Sequence, residues 1–164
     1  MAQALGARLL DRHGREIGRG CAALAEIACI DLSGLDPRLA RVRIDAAVNP
    51  HNALLGARGV TGIYGPQKGA RPEQIAGLEW ALTNYAVHLE AATGVDVAGL
   101  EGAGASGGIG AGLAAICGAT LHPRYDLVMR YTSFDRLLAE ADLVLTAEGS
   151  LDGQTPYGKI PAEV

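Results

Sequence analysis

Apolar residues recur at steps of three and four positions between residues 72 and 93, which is the period of one face of an α-helix. The repeating residues are Ile75, Leu78, Leu82, Tyr85 and Leu89. Gly94 follows this stretch, and glycine commonly supplies the left-handed residue that ends a helix. The pattern therefore predicts an amphipathic helix over residues 72–93.

Two further segments have the apolar patterns of β-strands. Residues 41–46 alternate charged and apolar side chains, which favours a half-buried strand, and residues 46–48 extend it into the polar loop 49–52. Residues 143–146 (Leu-Val-Leu-Thr) form a continuous apolar run of the kind found in fully buried strands. Because strands and helices alternate along the chain, the predicted fold class is α/β.

Three shorter patterns add to this order of elements. Residues 1–10 place several leucines on a shared helical face, which predicts the end of a helix. Residues 11–17 have the composition of a turn, with Gly14 at its tip. The sequence Thr132–Asp135 places an acid three residues after a hydroxyl, a helix-capping pattern, and predicts a helix that continues through Ala141.

Composition excludes several classes of protein. The chain has 164 residues, of which 49% are hydrophobic and 20% charged, so it can bury one substantial core. Its net charge is −4 and its arginines are scattered, which argues against a nucleic-acid partner. No apolar run approaches the roughly 20 residues that cross a bilayer, and residues 1–10 lack the features of a signal peptide. We therefore expect neither a nucleic-acid nor a membrane partner.

Three cysteines, an odd number, show no metal-ligand spacing: Cys21, Cys29 and Cys117. Unpaired cysteines of this kind usually behave as small buried or partly buried side chains. They predict a protein of the reducing cytoplasm rather than one held by disulfides or zinc.

Glycine is the most unusual feature of the composition, with 23 residues or about twice the usual share of roughly 7%. Residues 102–112 contain the spacing G-x-G-x-x-G, but no convincing strand precedes it, so it is a weak dinucleotide fingerprint. A loop that opens a helix toward an anion, with Ser106 as a further donor, explains the run better. Glycines chosen only for close helix packing remain an open alternative.

The chain has two lysines, and both lie beside glycine in turn-rich segments: Lys68 and Lys159. A compact ammonium next to such a backbone can pair with phosphate oxygens, although two exposed loop lysines are the alternative. Residues 153–160 nearly match the phosphate-loop pattern G-x-x-x-x-G-K-[ST]. Ile160 lacks the hydroxyl that binds magnesium and Pro156 lacks a backbone donor, so a true phosphate loop is not expected. Phosphate held by Lys159 and a helix N-terminus remains a hypothesis.

Two carboxylates, Glu148 and Asp152, follow the predicted strand over residues 143–146. Ligands gather at the carboxyl ends of strands in open α/β sheets, and carboxylates there can bind magnesium or accept a hydroxyl proton. Ordinary turn residues explain the pair equally well. His51 could orient a substrate, but a lone loop histidine is more often a polar surface residue.

Three long motifs resemble bacterial type I glycerate kinases in sequence, order and spacing. They are Tyr64–Ala70 (YGPQKGA), Gly102–Gly112 (GAGASGGIGAG) and Glu148–Lys159 (EGSLDGQTPYGK). Because the opening Gln3–Arg8 (QALGAR) with Asp11 and Gly18–Gly20 (GRG), and Asp31–Arg38 (DLSGLDPR), also match, the resemblance covers practically the whole chain. Members of this family are more than twice as long, so the chain resembles the central part of one.

The resemblance implies a domain arrangement. Residues 1–140 would belong mainly to an inserted mixed α/β domain, and residues 141–164 would form the first return strand of a Rossmann-like parallel-sheet domain. We expect this segment to be inactive without the flanking parts, and homo-oligomer formation remains open.

The resemblance also implies a reaction, in which ATP phosphorylates D-glycerate with the help of Mg²⁺, and 2-phosphoglycerate is the expected product. Positioning and electrostatics would supply most of the catalysis. The catalytic residues would be Lys68, Glu148 and Asp152, with the two acids also as magnesium ligands. The substrate- or phosphate-binding residues would be Asn52, Lys68, Gly104, Ser106, Gly107, Gly108, Thr155 and Lys159. Asn49 stands where many relatives have an acid, so no magnesium or base role is expected there. A non-catalytic α/β module that binds small anions is the alternative.

Overall fold

The computed structural model describes residues 1–147 and 149, which fold as a mixed α/β protein with two small sheets and helices. The strands are β1 (Arg8–Leu10), β2 (Cys29–Asp31), β3 (Asp45–Val48) and β4 (Thr120–Pro123). The α-helices are α1 (Val60–Tyr64), α2 (Pro72–Thr93), α3 (Ala105–Cys117), α4 (Arg124–Thr132) and α5 (Phe134–Ala139). Short 3-10 segments of one or two turns span Ala2–Leu5, Cys21–Glu26, Pro37–Arg41 and Pro66–Lys68. The predicted α/β class is confirmed.

Helix α2 confirms the strongest sequence prediction, with the predicted bounds. Leu82, Tyr85 and Leu89 are buried on its inner face, and Gly94 ends it with φ 75° in the left-handed region. The helix packs against α3 and against the turn Cys21–Glu26. α2 is therefore the element around which the described core is built.

The predicted N-terminal helix is wrong. Residues Ala2–Leu5 form a single 3-10 turn, and Gly6 ends it with φ 95°. A Cβ atom at Gly6 would lie 2.0 Å from the carbonyl oxygen of Gly34, so this turn is held against the chain that follows β2. Strand β1 comes next and pairs antiparallel with β2, because Leu9 faces the core opposite Ile30. The predicted turn at Gly14 is confirmed, with φ 74°.

The predicted strand over residues 41–48 is confirmed only in its second half. The turn Pro37–Arg41 occupies the first residues, because Pro37 starts it and the Asp36 side chain caps it by accepting the N–H of Arg38 (2.9 Å). Strand β3 then pairs parallel with β4, and its Asp45 carboxylate lies 2.7 Å from Nε2 of His122. The predicted loop over residues 49–52 does follow this strand.

The helix predicted after Thr132 is confirmed as α5, but its predicted cap is wrong, and so is the strand predicted over residues 143–146. The Thr132 hydroxyl donates back to the carbonyl of Val128 (2.9 Å) instead of capping α5, which begins after a left-handed Ser133 and ends at Ala139. Residues 143–146 form no strand, and the side chain of Leu145 is 86% exposed. An apolar run becomes a buried strand only beside a sheet partner, and no described strand pairs with this one.

Cys117 is buried and Cys21 half-buried, as predicted, and all three cysteines are unpaired. Cys29 is exposed, contrary to the prediction, because alternate residues of a strand point to opposite faces and its neighbour Ile30 takes the inner one. Among residues 1–147 and 149, no helix combines the length and the apolar character that a membrane span requires.

Candidate functional site

The loop after β3 and the glycine-rich segment before α3 are joined backbone to backbone. Gly102 donates its N–H to the carbonyl of Pro50 (3.1 Å), and Gly104 donates to the carbonyl of Asn52 (2.9 Å). A Cβ atom at Gly104 would lie 2.3 Å from the carbonyl oxygen of Ala53, so the loop would have to move to admit any other residue. These two glycines are therefore required for close packing, which was the alternative interpretation of the run.

Ser106, Gly107 and Gly108 form a left-handed turn at the start of α3, with φ values of 54°, 81° and 103°. A serine in this region costs about 1–2 kcal/mol relative to the right-handed conformation, and such strain often marks a functional position. The amides of Gly107 and Gly108 both donate to the carbonyl of Gly104 (3.0 and 3.2 Å). An anion at this turn would therefore meet the exposed Ser106 hydroxyl rather than these two amides.

Lys68 lies directly beside this left-handed turn. A Cβ atom placed on Gly107 would be 3.2 Å from Nζ of Lys68, so the ammonium occupies the space next to the bare glycine. Lys68 ends the turn Pro66–Lys68, and Gly69 follows in the left-handed conformation (φ 92°). Lys68 forms no ion pair with any acid within residues 1–147 and 149. Its charge is available to an anion.

A cavity of about 420 Å³ opens between α1, α2 and the left-handed turn. Leu78 and Leu82 form part of its apolar wall. Polar side chains of Cys21, Thr61, Lys68, Gln74 and Ser106 also line it, together with small residues that include Gly107. The structure thus brings together three predicted site residues, Lys68, Ser106 and Gly107, although they are far apart in the sequence.

A second cavity, of about 600 Å³, adjoins the first, since Cys21, Leu82 and Gly107 line both. Arg19 and Gln3 supply polar side chains to it, and Gly108 contributes backbone. The two cavities together give this face of the protein room for more than one small ligand.

Asn52, which was predicted to bind substrate or phosphate, lies away from these two cavities. Its Oδ1 accepts a hydrogen bond from the Tyr64 hydroxyl (2.7 Å), and its carbonyl holds the Gly104 amide. Asn52 is absent from the described lining of both cavities and ties the loop after β3 to the end of α1. His51 lines a separate hollow of about 60 Å³ with Arg124.

Two residues of the site escaped the sequence prediction, Thr61 and Glu79. Thr61 is only 6% exposed, and its hydroxyl donates to Oε2 of Glu79, while Oε1 accepts the N–H of Gly56 (2.7 Å). Burial raises the pKa of the adjacent Cys21 thiol, and the negative charge of Glu79 raises it further. The thiol therefore stays protonated at neutral pH. A charged residue inside the apolar stripe of α2, between Ile75 and Leu82, was the signal that could have revealed Glu79.

Four predicted site residues lie outside the described residues: Glu148, Asp152, Thr155 and Lys159. Their expected roles in magnesium and phosphate binding remain predictions. Within residues 1–147 and 149, no three His, Cys, Asp or Glu side chains gather closely enough to hold a metal ion.

The fold and this site define a mixed α/β protein in which a lysine, without an acidic partner among residues 1–147 and 149, lies beside a glycine-rich turn. The family model for the glycerate kinase family matches residues 1–164. The chain therefore belongs to the glycerate kinase family, and the resemblance stated from its motifs is confirmed.

Curated relatives agree with this assignment. The chain is 46% identical over its full length to a glycerate kinase of Halalkalibacterium halodurans and 43% identical to the glycerate 2-kinase of Escherichia coli. A crystal structure assigned provisionally to a glycerate kinase 2 of Salmonella typhimurium LT2 superposes on 98% of the chain with a TM-score of 0.83 and 47% identity. The chain spans about 43% of the length of each of these proteins.

Proposed function

We propose that this chain is part of a glycerate kinase that transfers a phosphoryl group from ATP to a hydroxyl of D-glycerate. The observation that carries the proposal is the ammonium of Lys68, which has no acidic partner in the described part of the chain and lies beside the bare Gly107 in an open cavity. A lysine in this setting acts as a point charge for a phosphate or a carboxylate, and both substrates of such an enzyme are anions.

The product is proposed to be 2-phosphoglycerate. The 43% identity to a protein named glycerate 2-kinase supports this choice between the two hydroxyls of glycerate. The adjoining cavities would allow acid and nucleotide to lie side by side. Direct contact of this kind is what phosphoryl transfer requires.

Mg²⁺ is proposed as the metal, bound by Glu148 and Asp152. When bound, it would neutralise the charge of the phosphate oxygens. Thr155 and Lys159 would bind phosphate beside it, and Asn52 would orient the substrate from the loop after β3. The free thiols agree with the reducing cytoplasm that we propose as its compartment.

We also propose that residues 141–164 belong to a second domain that is completed by chain outside this segment. The exposure of Leu143, Val144 and Leu145 supports this, because a soluble domain rarely leaves three consecutive large apolar side chains in water. Residues 1–164 alone would then bind anions without catalysing phosphoryl transfer.

The test compares the chain extended at both ends to the length of its relatives, hereafter the extended protein, with its Lys68→Ala variant. We expect ATP consumption that depends on D-glycerate, and a loss in kcat/KM on the order of tenfold to a hundredfold in the variant. Arg71→Ala is the matched control, because Arg71 is an exposed cation three residues away whose partner is Glu73 (2.6 Å). ³¹P NMR of the product distinguishes 2- from 3-phosphoglycerate. An extended protein without glycerate-dependent ATP use would contradict the proposal.

A non-catalytic anion-binding module is the second candidate, favoured by a cavity that described residues between Cys21 and Gly107 line. It predicts that phosphate or glycerate raises the melting temperature while Asp152→Asn changes no measurable activity. If the protein is a kinase, Asp152→Asn should lose turnover and still bind phosphate or glycerate.

A further inference from the structure

The Glu79 carboxylate connects α2 to the segment that carries Lys68. Both of its oxygens are engaged: one accepts the N–H of Gly56, and the other accepts the hydroxyl of Thr61. Thr61 is the one buried polar residue among residues 1–147 and 149. A carboxylate is a stronger acceptor than a neutral group, so these two bonds hold α1 and the turn before it onto α2.

A series of backbone hydrogen bonds continues from Thr61 to Lys68. The carbonyl of Thr61 accepts the N–H of Gly65 (3.1 Å) and the carbonyl of Gly65 accepts the N–H of Lys68 (3.0 Å). The same Gly65 carbonyl also accepts the N–H of Ala70 (3.0 Å), which closes the turn on its far side. Two hydrogen-bonded steps therefore separate Thr61 from the backbone of Lys68.

The turn that bears Lys68 has little freedom of its own. A Cβ atom on Gly65 would lie 2.2 Å from the Thr61 carbonyl oxygen and 3.2 Å from Cδ1 of Ile75, so the chain is packed tightly there. The position of the Lys68 backbone is consequently set by where α1 sits, and α1 is held by Glu79. A long flexible side chain reaches an anion productively only from a fixed starting point.

We propose that Glu79, acting through Thr61, is a positioning residue that holds Lys68 beside Gly107. This inference rests on the proposed function, in which Lys68 binds an anionic substrate. Glu79 itself is absent from the described cavity lining, so its effect is indirect.

The test is a double-mutant cycle in the extended protein, measured as kcat/KM for D-glycerate. Thr61→Val keeps the side-chain volume and removes the hydroxyl, and we expect a loss of about tenfold. The same substitution in a Lys68→Ala background should cost less than twofold, because nothing remains to be positioned. Thr61→Ser restores the hydroxyl and should restore most of the activity.

Two controls separate positioning from general destabilisation. Thr83→Val removes a hydroxyl that donates to the Glu79 backbone carbonyl (2.9 Å) on the same helix, and it should leave kcat/KM within twofold. Glu79→Asp keeps the charge but is one methylene shorter, so it cannot reach both partners. If Thr61→Val does not fold, Glu79→Asp replaces it in the cycle, and it should lower kcat/KM much less in the Lys68→Ala background than in the parent.

Each result decides between the two proposals. Losses from Thr61→Val that are equal in both backgrounds, or no loss at all, would overturn the positioning role and leave Lys68 as a substrate ligand. A Lys68→Ala variant with unchanged kcat/KM would overturn the role of Lys68, and with it the positioning of that residue.

Discussion

At the scale of single residues, the glycine-rich run serves two separate purposes. Gly104 is buried where any side chain would collide with Ala53 and Val60, whereas Gly107 is exposed where a side chain would meet Nζ of Lys68. The sequence alone could not separate these purposes, because both require the same residue type. The purpose of each glycine depends on which atoms lie next to it, and these come from segments that are distant in the sequence.

This difference predicts a large stability effect at Gly104. In Gly104→Ala, the new Cβ would lie 2.3 Å from the carbonyl oxygen of Ala53 and 2.5 Å from Cγ1 of Val60. Backbone cannot yield cheaply, so we expect a loss of about 2 kcal/mol or more in the free energy of unfolding by urea. Gly62→Ala is the control, since its Cβ would meet nothing within 4 Å, and it should cause no loss. Equal effects of the two variants would contradict the packing explanation.

At the scale of elements, the spacing of hydrophobic residues predicted the helix that its own sequence determines. It missed the strand that depends on pairing with a distant segment. The apolar period of α2 repeats over several helical turns and a glycine ends it, so the sequence was sufficient to predict its bounds, which are confirmed. Strand β1 is three residues long, and its leucines fit a helix as well as a strand. Only the pairing of Leu9 with Ile30 distinguishes the two possibilities.

The parallel pair β3 and β4 predicts a pH-dependent stability. Asp45 on β3 accepts a hydrogen bond from His122 on β4 and pairs with Arg43 (2.9 Å), and these two interactions lower its pKa. A carboxylate with a lowered pKa stabilises the fold above its unfolded pKa of about 3.9, and this contribution is lost as the pH falls further.

We therefore expect Asp45→Asn to melt at a lower temperature than the parent at pH 7. The difference should shrink as the pH falls below about 4, because the unfolded parent then binds a proton at Asp45 that the folded parent accepts only at lower pH. Glu90→Gln, at an exposed position of α2, should melt like the parent throughout. A gap between the Asp45→Asn and parent melting temperatures that does not narrow in acid would contradict this assignment.

At the scale of the whole molecule, the site joins segments that no local pattern relates. Lys68 and Ser106 were predicted separately, as a lysine near glycine and a donor in a glycine run, and the structure places both on one cavity. Glu79 was missed because its one sequence signal, an acid within the apolar stripe of α2, does not show which residues it contacts. Its partners Gly56 and Thr61 come from a loop whose position is set by tertiary packing.

The apolar run over residues 143–146 connects the described fold to the proposed second domain. Its exposure in this chain is explained if its sheet partners come from sequence beyond this segment. We then expect its amides to exchange with deuterium rapidly in the 164-residue chain and to be protected in the extended protein, since backbone groups of a central strand bond on both sides. Hydrogen exchange followed by mass spectrometry measures both, with the α2 amides as an internal reference that should be protected in each. If residues 143–146 exchange equally fast in the extended protein, they form no return strand, and the boundary proposed at residue 140 must be abandoned while the site around Lys68 is unaffected.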